Sequence, residues 1–171
     1  PAAPVAPPLP AVPPAAATFF DGTTQATKAD AMETLLDEGA VIEFIGPYAG
    51  ATAGLTLDRP AILGALAGLC ASFPDFTFNP TKVPVVRSID GGWWAKILVR
   101  GTFTGEPFTP APGKLPPLDA TGSKFEIGPE IFTVYTDETG ERIRRITIEA
   151  QYKGALVGPP GIYVACGGSL E

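Results

Sequence analysis

The sequence predicts an α+β domain in which a strongly curved antiparallel sheet wraps around a cone-shaped cavity and packs against N-terminal helices. Two observations point there. Apolar residues at helical spacing run from Ile62 to Leu69 and stop at Phe73-Pro74-Asp75-Phe76-Thr77-Phe78. Long strand-like runs follow, joined by turn signals at Asp90-Gly91-Gly92 and Asp137-Glu138-Thr139-Gly140. A third feature bears on function: the chain contains no histidine, the side chain whose ordinary pKa lies nearest neutrality.

The chain has 171 residues, enough for one domain with a long tail left over. Its 45% hydrophobic and 18% charged residues are a globular balance. The net charge is -6 and Lys and Arg are scattered, which argues against nucleic acid, because neutralising phosphates takes clustered cations. No apolar run is long enough to span a bilayer, so any membrane association would be peripheral, on a larger complex. Without histidine and with two cysteines, Cys70 and Cys166, the usual zinc sites are not available. No Asp/Glu cluster has the spacing of a magnesium or calcium loop. Neither a metal nor a cofactor is expected. Cys70 falls among Leu66, Leu69 and Phe73 and reads as a buried thiol.

Pro1 to Ala17 contains only Pro, Ala, Val and Leu. Proline removes donors and fixes φ, so this stretch is expected as an extended polyproline arm, residues 1–20, and not as a helix. Such an arm has no core of its own, and an ordered one implies a surface that holds it. It lacks the charged start of a signal peptide. An Ala/Pro-rich start is compatible with removal of a presequence on import into an organelle, such as a plastid; without one, the chain would be cytoplasmic.

The domain proper is expected over residues 21–152. A first helix spans Thr27 to Glu38, capped by Thr27 or Asp30 and stopped by Gly39. A short strand, Ala40 to Ile45, ends at Gly46-Pro47. Tyr48 to Thr56 forms a small-residue flap. Asp58 caps a second helix from Arg59 to about Ser72, with Pro60 in its first turn. Val83–Ile89 and Trp93–Phe103 make one hairpin; Ser123–Thr136 and Glu141–Tyr152 make another. Between them, Gly105 to Gly122 carries five prolines and reads as a long irregular excursion. Residues 153–171, rich in Gly and Pro, are expected to lie extended on a surface.

Alternation assigns the side chains that can share a cavity. On the strand holding Glu130, strict alternation groups Glu126, Gly128, Glu130, Phe132 and Val134 on one face. Phe125, Ile127, Ile131 and Tyr135 take the other. Lys96, Leu98, Arg100 and Thr102 oppose Ala95, Ile97, Val99 and Phe103. Arg145, Thr147, Glu149 and Gln151 oppose Ile146, Ile148 and Ala150. Glu130 then has two readings. In an apolar cavity its pKa rises and it can act as acid or base; opposite Arg100 or Arg145 it forms a structural ion pair. The candidate pocket comprises Arg100, Arg145, Thr147, Phe132, Trp93 and Trp94, with one tryptophan of the adjacent pair facing the core. No base is present to activate a serine or threonine as in a nucleophilic triad, and no phosphate-binding loop is present.

The helix ending Phe73-Pro74-Asp75, the strand Lys96–Gly105, the segment Gly128-Pro129-Glu130-Ile131-Phe132-Thr133-Val134 and the acidic turn before Ile143 carry a resemblance. From about Thr27 to Gln151 the chain resembles the SnoaL-like, or polyketide-cyclase-like, branch of the nuclear-transport-factor-2-like superfamily. The resemblance implies a cone-shaped α+β barrel, often paired as a homodimer through its sheet. It also implies activities from ring closure and isomerisation to hydrolysis, or binding without chemistry. Cyclase-like members keep an acid/base pair on the last two strands. Here the matching positions are Glu130 and, at or near the second, Gln151, with Glu149 two residues earlier. An amide where an acid is expected favours a non-catalytic or catalytically reduced accessory or scaffold subunit, docking on protein partners through residues 1–17, 105–122 and 153–171. Two other readings stay open: a small-molecule cyclase, isomerase or hydrolase using Glu130, with Glu149 and Gln151 as further catalytic candidates, and a binder of a lipid, pigment or polyketide.

Overall fold

The computed structural model describes residues 7–21, 29–78 and 84–171. Four helices, α1 (Pro14–Phe20), α2 (Ala29–Leu35), α3 (Arg59–Ser72) and α4 (Gly158–Ala165), accompany six strands. These are β1 (Leu36–Ile45), β2 (Thr56–Asp58), β3 (Val86–Arg87), β4 (Trp93–Thr102), β5 (Lys124–Thr136) and β6 (Ile143–Ala150). They form a curved, unclosed sheet in the order β2-β1-β6-β5-β4-β3. All neighbours are antiparallel except β1 and β6, which run parallel. The expected α+β cone is therefore present, with one parallel pair where only antiparallel ones were expected.

Helix α3 follows the sequence closely. Its N-cap Asp58 accepts a hydrogen bond from the Ala61 amide at 3.0 Å, satisfying one of the donors left over at a helix start. Ile62, Leu66 and Leu69 are buried at the spacing that keeps side chains on one helix face. Phe73 then packs against Phe103, Phe108 and Phe125 at centroid distances of 5.0–5.1 Å. Asp75 ties the turn to β4, its carboxylate accepting from the Thr102 amide at 2.6 Å and the Thr102 hydroxyl at 2.7 Å. Of the adjacent tryptophans, Trp93 is buried and Trp94 is half-buried.

Several elements differ from expectation, each for a physical reason. The N-terminal arm is not extended throughout: α1 begins at Pro14, at the first helical position where a missing N–H does no harm. Ala15, Ala16, Phe19 and Phe20 bury themselves, and the Ala15 amide donates to the Gly140 carbonyl at 3.0 Å. The following helix is shorter than expected. β1 already starts at Leu36, which pairs with Ile143, and Gly39 lies within that strand. The proposed cap Thr27, residues 1–6 of the arm and the start of the expected strand at Val83 lie outside the described residues. The C-terminal segment is not an extended tail. Helix α4 carries prolines in its first turn and buries Ile162 and Tyr163. The Tyr163 hydroxyl donates to the Pro116 carbonyl at 2.7 Å, fastening the 105–122 excursion to its own domain. Among the described residues no helix is long and apolar enough to cross a membrane.

Candidate functional site

Between the sheet and the helices lies a cavity of about 70 Å³. Its walls come from all four helices and from the inner face of the sheet, and five phenylalanines contribute, Phe19, Phe44, Phe76, Phe78 and Phe132. Three of them form a cluster: Phe19 lies 5.5 Å from Phe78 and 6.1 Å from Phe132, and Phe78 lies 5.6 Å from Phe132. Among the described residues lining the cavity, Glu130 is the one polar side chain.

Glu130 reaches that position through a fault in the strand ladder. Ile97 pairs with Glu130 and Val99 with Ile127, so Leu98 alone faces the two residues Gly128 and Pro129. This is a β-bulge, one extra residue that shifts the phase of the strand. Before it, Phe125 and Ile127 point inward; after it, Glu130, Phe132 and Val134 do. Strict alternation had placed Glu126 and Glu130 together, and the bulge separates them. Gly128 permits the fault. Its φ of +105° is open to glycine, and a Cβ there would come within 2.7 Å of the Ile97 carbonyl oxygen.

The consequence is a carboxyl group at 1% exposure. One oxygen, Oε1, accepts a hydrogen bond from the Gly158 amide at 3.1 Å. The other, Oε2, has no hydrogen-bond partner among the described residues. Burial destabilises the charged form more than the single amide contact restores it, and the pKa is pushed up to about 7. The expected ion pairs do not form, because both arginines project from the opposite face of the sheet. Arg100 pairs with Glu126 and Arg145 with Glu43, and the Arg145 guanidinium stacks 5.2 Å from the centre of the Tyr135 ring.

The remaining sequence candidates divide accordingly. Phe132 lines the cavity with Glu130. Glu149 lies on the outer face, with its carboxylate against Gly46; its inward neighbour Ala150 is the residue paired with Glu130. Gln151 follows the end of β6, half-buried and outside the cavity lining. Thr147 is buried on the outer face opposite Thr133, and Trp94, half-buried, lies on that same face opposite Thr133 from the other side. Trp93 faces inward but stands away from the cavity, with Arg87 over its ring at 5.8 Å. The expected partner for Glu130 on the last strand is thus absent from the cavity.

Apart from Glu130 and Phe132, the residues that line the cavity were not among the candidates. Two of them come from segments read as lying outside the domain, Phe19 from the arm and Gly158 from the tail. The available signals were the Phe19-Phe20 pair closing the Pro/Ala stretch and the Gly-Pro-Pro-Gly sequence before Ile162-Tyr163, which reads as a helix start once proline is allowed in the first turn.

No protein-family profile matches the chain, and no curated protein matches it. Solved structures do. AusH from Aspergillus nidulans is 14% identical, with 85% of this chain and 86% of that one covered at a TM-score of 0.56. BvnE pinacolase from Penicillium brevicompactum is 14% identical over 79% of this chain and 82% of its own, at a TM-score of 0.55. A proposed SnoaL-like polyketide cyclase from Jannaschia sp. is 13% identical over 84% and 90%, at 0.52. The fold is that of the SnoaL-like cyclases and the ketosteroid-isomerase-like proteins, as the sequence motifs implied.

Proposed function

We propose that this chain is a proton-transfer catalyst of the isomerase or cyclase type, acting on an apolar small molecule with Glu130 as its acid/base group. The observation that supports this reading is the carboxyl group itself: buried, without a cation, and with Oε2 unpartnered in an otherwise apolar cavity. A pKa of about 7 leaves both protonation states populated near neutrality, which is where acid/base catalysis is most effective. The Gly158 amide fixes Oε1 and leaves Oε2 to take a proton from carbon. The electron pair left behind is delocalised into the substrate's own carbonyl as an enolate. The same oxygen can return the proton to a different carbon of that conjugated system, so one carboxyl group carries the proton through an isomerisation in which substrate and product have the same composition. Structural neighbours that are a pinacolase and a proposed cyclase make such chemistry on this scaffold a reasonable starting point.

The accessory-subunit reading has less support. It rested on the missing second acid, which the cavity does lack, and on three extended docking segments; of these, α1, the 105–122 excursion and α4 all bury apolar side chains in their own chain. Binding without chemistry is the nearer rival and the test separates it. Incubation of the protein with methyl ketones in D2O, followed by NMR, should show catalysed deuterium uptake at the carbons beside the carbonyl. The rate should rise with pH to a plateau above about 7, and Glu130→Gln should lower it roughly 10²–10⁴-fold. Ketone binding with no exchange above background would leave a binder; an unchanged rate in Glu130→Gln would remove Glu130 from the chemistry.

A further inference from the structure

A cavity of about 70 Å³ is roughly two water volumes, whereas sites for whole organic ligands run to about 300–1,000 Å³. The space around Glu130 therefore admits only the reacting end of a substrate. Outside it lies an apolar groove of about 490 Å³ between α3, the 107–112 stretch and the start of α4. The two spaces share four walls, Leu57, Ala65, Leu69 and Pro159. The groove contains no charged side chain among its described lining residues; its far side is formed largely by prolines, including Pro107, Pro110 and Pro160.

Its floor is shaped by missing side chains. Gly64 and Gly68 lie one turn apart on α3, on the face that also carries Ala65 and Leu69. Glycine is a poor helix former, yet a Cβ at either position would meet nothing within 4 Å. Neither glycine is needed to let another part of the protein approach, and both keep the groove open.

Building on the proton-transfer reading, we propose that this groove and the Glu130 cavity are one composite site, and that its substrate is a neutral, elongated apolar molecule. The body of the molecule lies in the groove. Its reactive end passes between Leu57, Ala65, Leu69 and Pro159 to Oε2 of Glu130. The absence of charged lining selects against ionised bodies, since an unpaired charge is costly to bring into apolar surroundings.

The test uses the full chain and straight-chain methyl ketones from 2-butanone to 2-tetradecanone, read by displacement of the neutral fluorophore N-phenyl-1-naphthylamine. In the wild-type protein affinity should rise with length by up to roughly fourfold per added methylene. Gly68→Leu and Gly64→Leu, whose Cβ atoms meet nothing within 4 Å, should fold with an unchanged or higher unfolding midpoint and lose that dependence. Equal length dependence in wild type and variants, or none in wild type, overturns the composite site. A dimer that Gly68→Leu dissociates would assign the groove to a second copy and also overturn it. Glu130→Gln distinguishes the two claims. If it keeps the length dependence and loses deuterium exchange, both stand; if exchange survives while Gly68→Leu removes the dependence, the groove stands and the catalytic role falls.

Discussion

Glu126 and Glu130 lie four residues apart on one strand, yet the first is solvated beside Arg100 and the second is sealed among hydrocarbon without a cation. Had β5 been regular, both would project from the same face. The extra residue at Gly128-Pro129 turns everything after it over, so that the outer face keeps the paired glutamate and the inner face acquires the lone one. One strand thus supplies two carboxylates in different settings: Glu126 lies in an outer-face ion pair, and Glu130 lies in the apolar cavity with its pKa pushed up to about 7. Environment, set by one bulge, decides which is which.

The contrast can be broken most severely at Glu130. Its folded pKa of about 7 stands above the ordinary 4.5, so the folded state binds the proton more tightly than the unfolded one. The resulting stabilisation is complete below about pH 4.5 and is lost as pH rises to about 7, a change of about 3 kcal/mol. Glu130→Gln should abolish this slope. Urea denaturation of both proteins between pH 4 and 8 (about the range the two pKa values span) would show the difference between them growing with pH and then levelling.

A smaller effect is expected at the bulge. Gly128→Ala places a Cβ against the Ile97 carbonyl in a backbone conformation that alanine disfavours, costing about 1–3 kcal/mol in unfolding free energy. A change within a few tenths of that of an ordinary surface substitution would mean the bulge can relax and is not what fixes the phase. The smallest effect belongs to the outer pair. Arg100 and Glu126 are 41% and 51% exposed, and a double-mutant cycle with Arg100→Ala and Glu126→Gln should return a coupling of about 0–1 kcal/mol that falls as salt is added.

How much of this could be read from the residues depends on what each element relies upon. Helix α3 was legible to its cap because Asp58, Pro60 and an apolar stripe act locally. The tight turns of the two hairpins were legible for the same reason. Helices α1 and α4 were not. Segments of seven and eight residues are too short to be helical by propensity; Phe19, Phe20, Ile162 and Tyr163 make them so by burial in the core. β1 was shortened in expectation because Leu36-Asp37-Glu38 suits a helix locally, whereas pairing with β6 claims it for the sheet. For the site, Glu130 was legible as a candidate acid and its apolar setting was one of two readings, but the choice between that setting and an ion pair was not legible. Alternation carried through Gly128-Pro129 as though the strand were regular, and this brought Arg100 and Arg145 to the wrong side. A glycine and a proline inside a strand pattern are the signal that could have warned of it.

The most direct measurement is a carboxyl carbon-13 NMR titration of glutamate-labelled protein, with Glu130 assigned by its loss in Glu130→Gln. A midpoint near 7, far from the ordinary 4.5 and insensitive to salt, is the predicted result. A midpoint near 4.5 would contradict it, because it would mean that water or a cation reaches Oε2 and that no neutral-pH proton is held there.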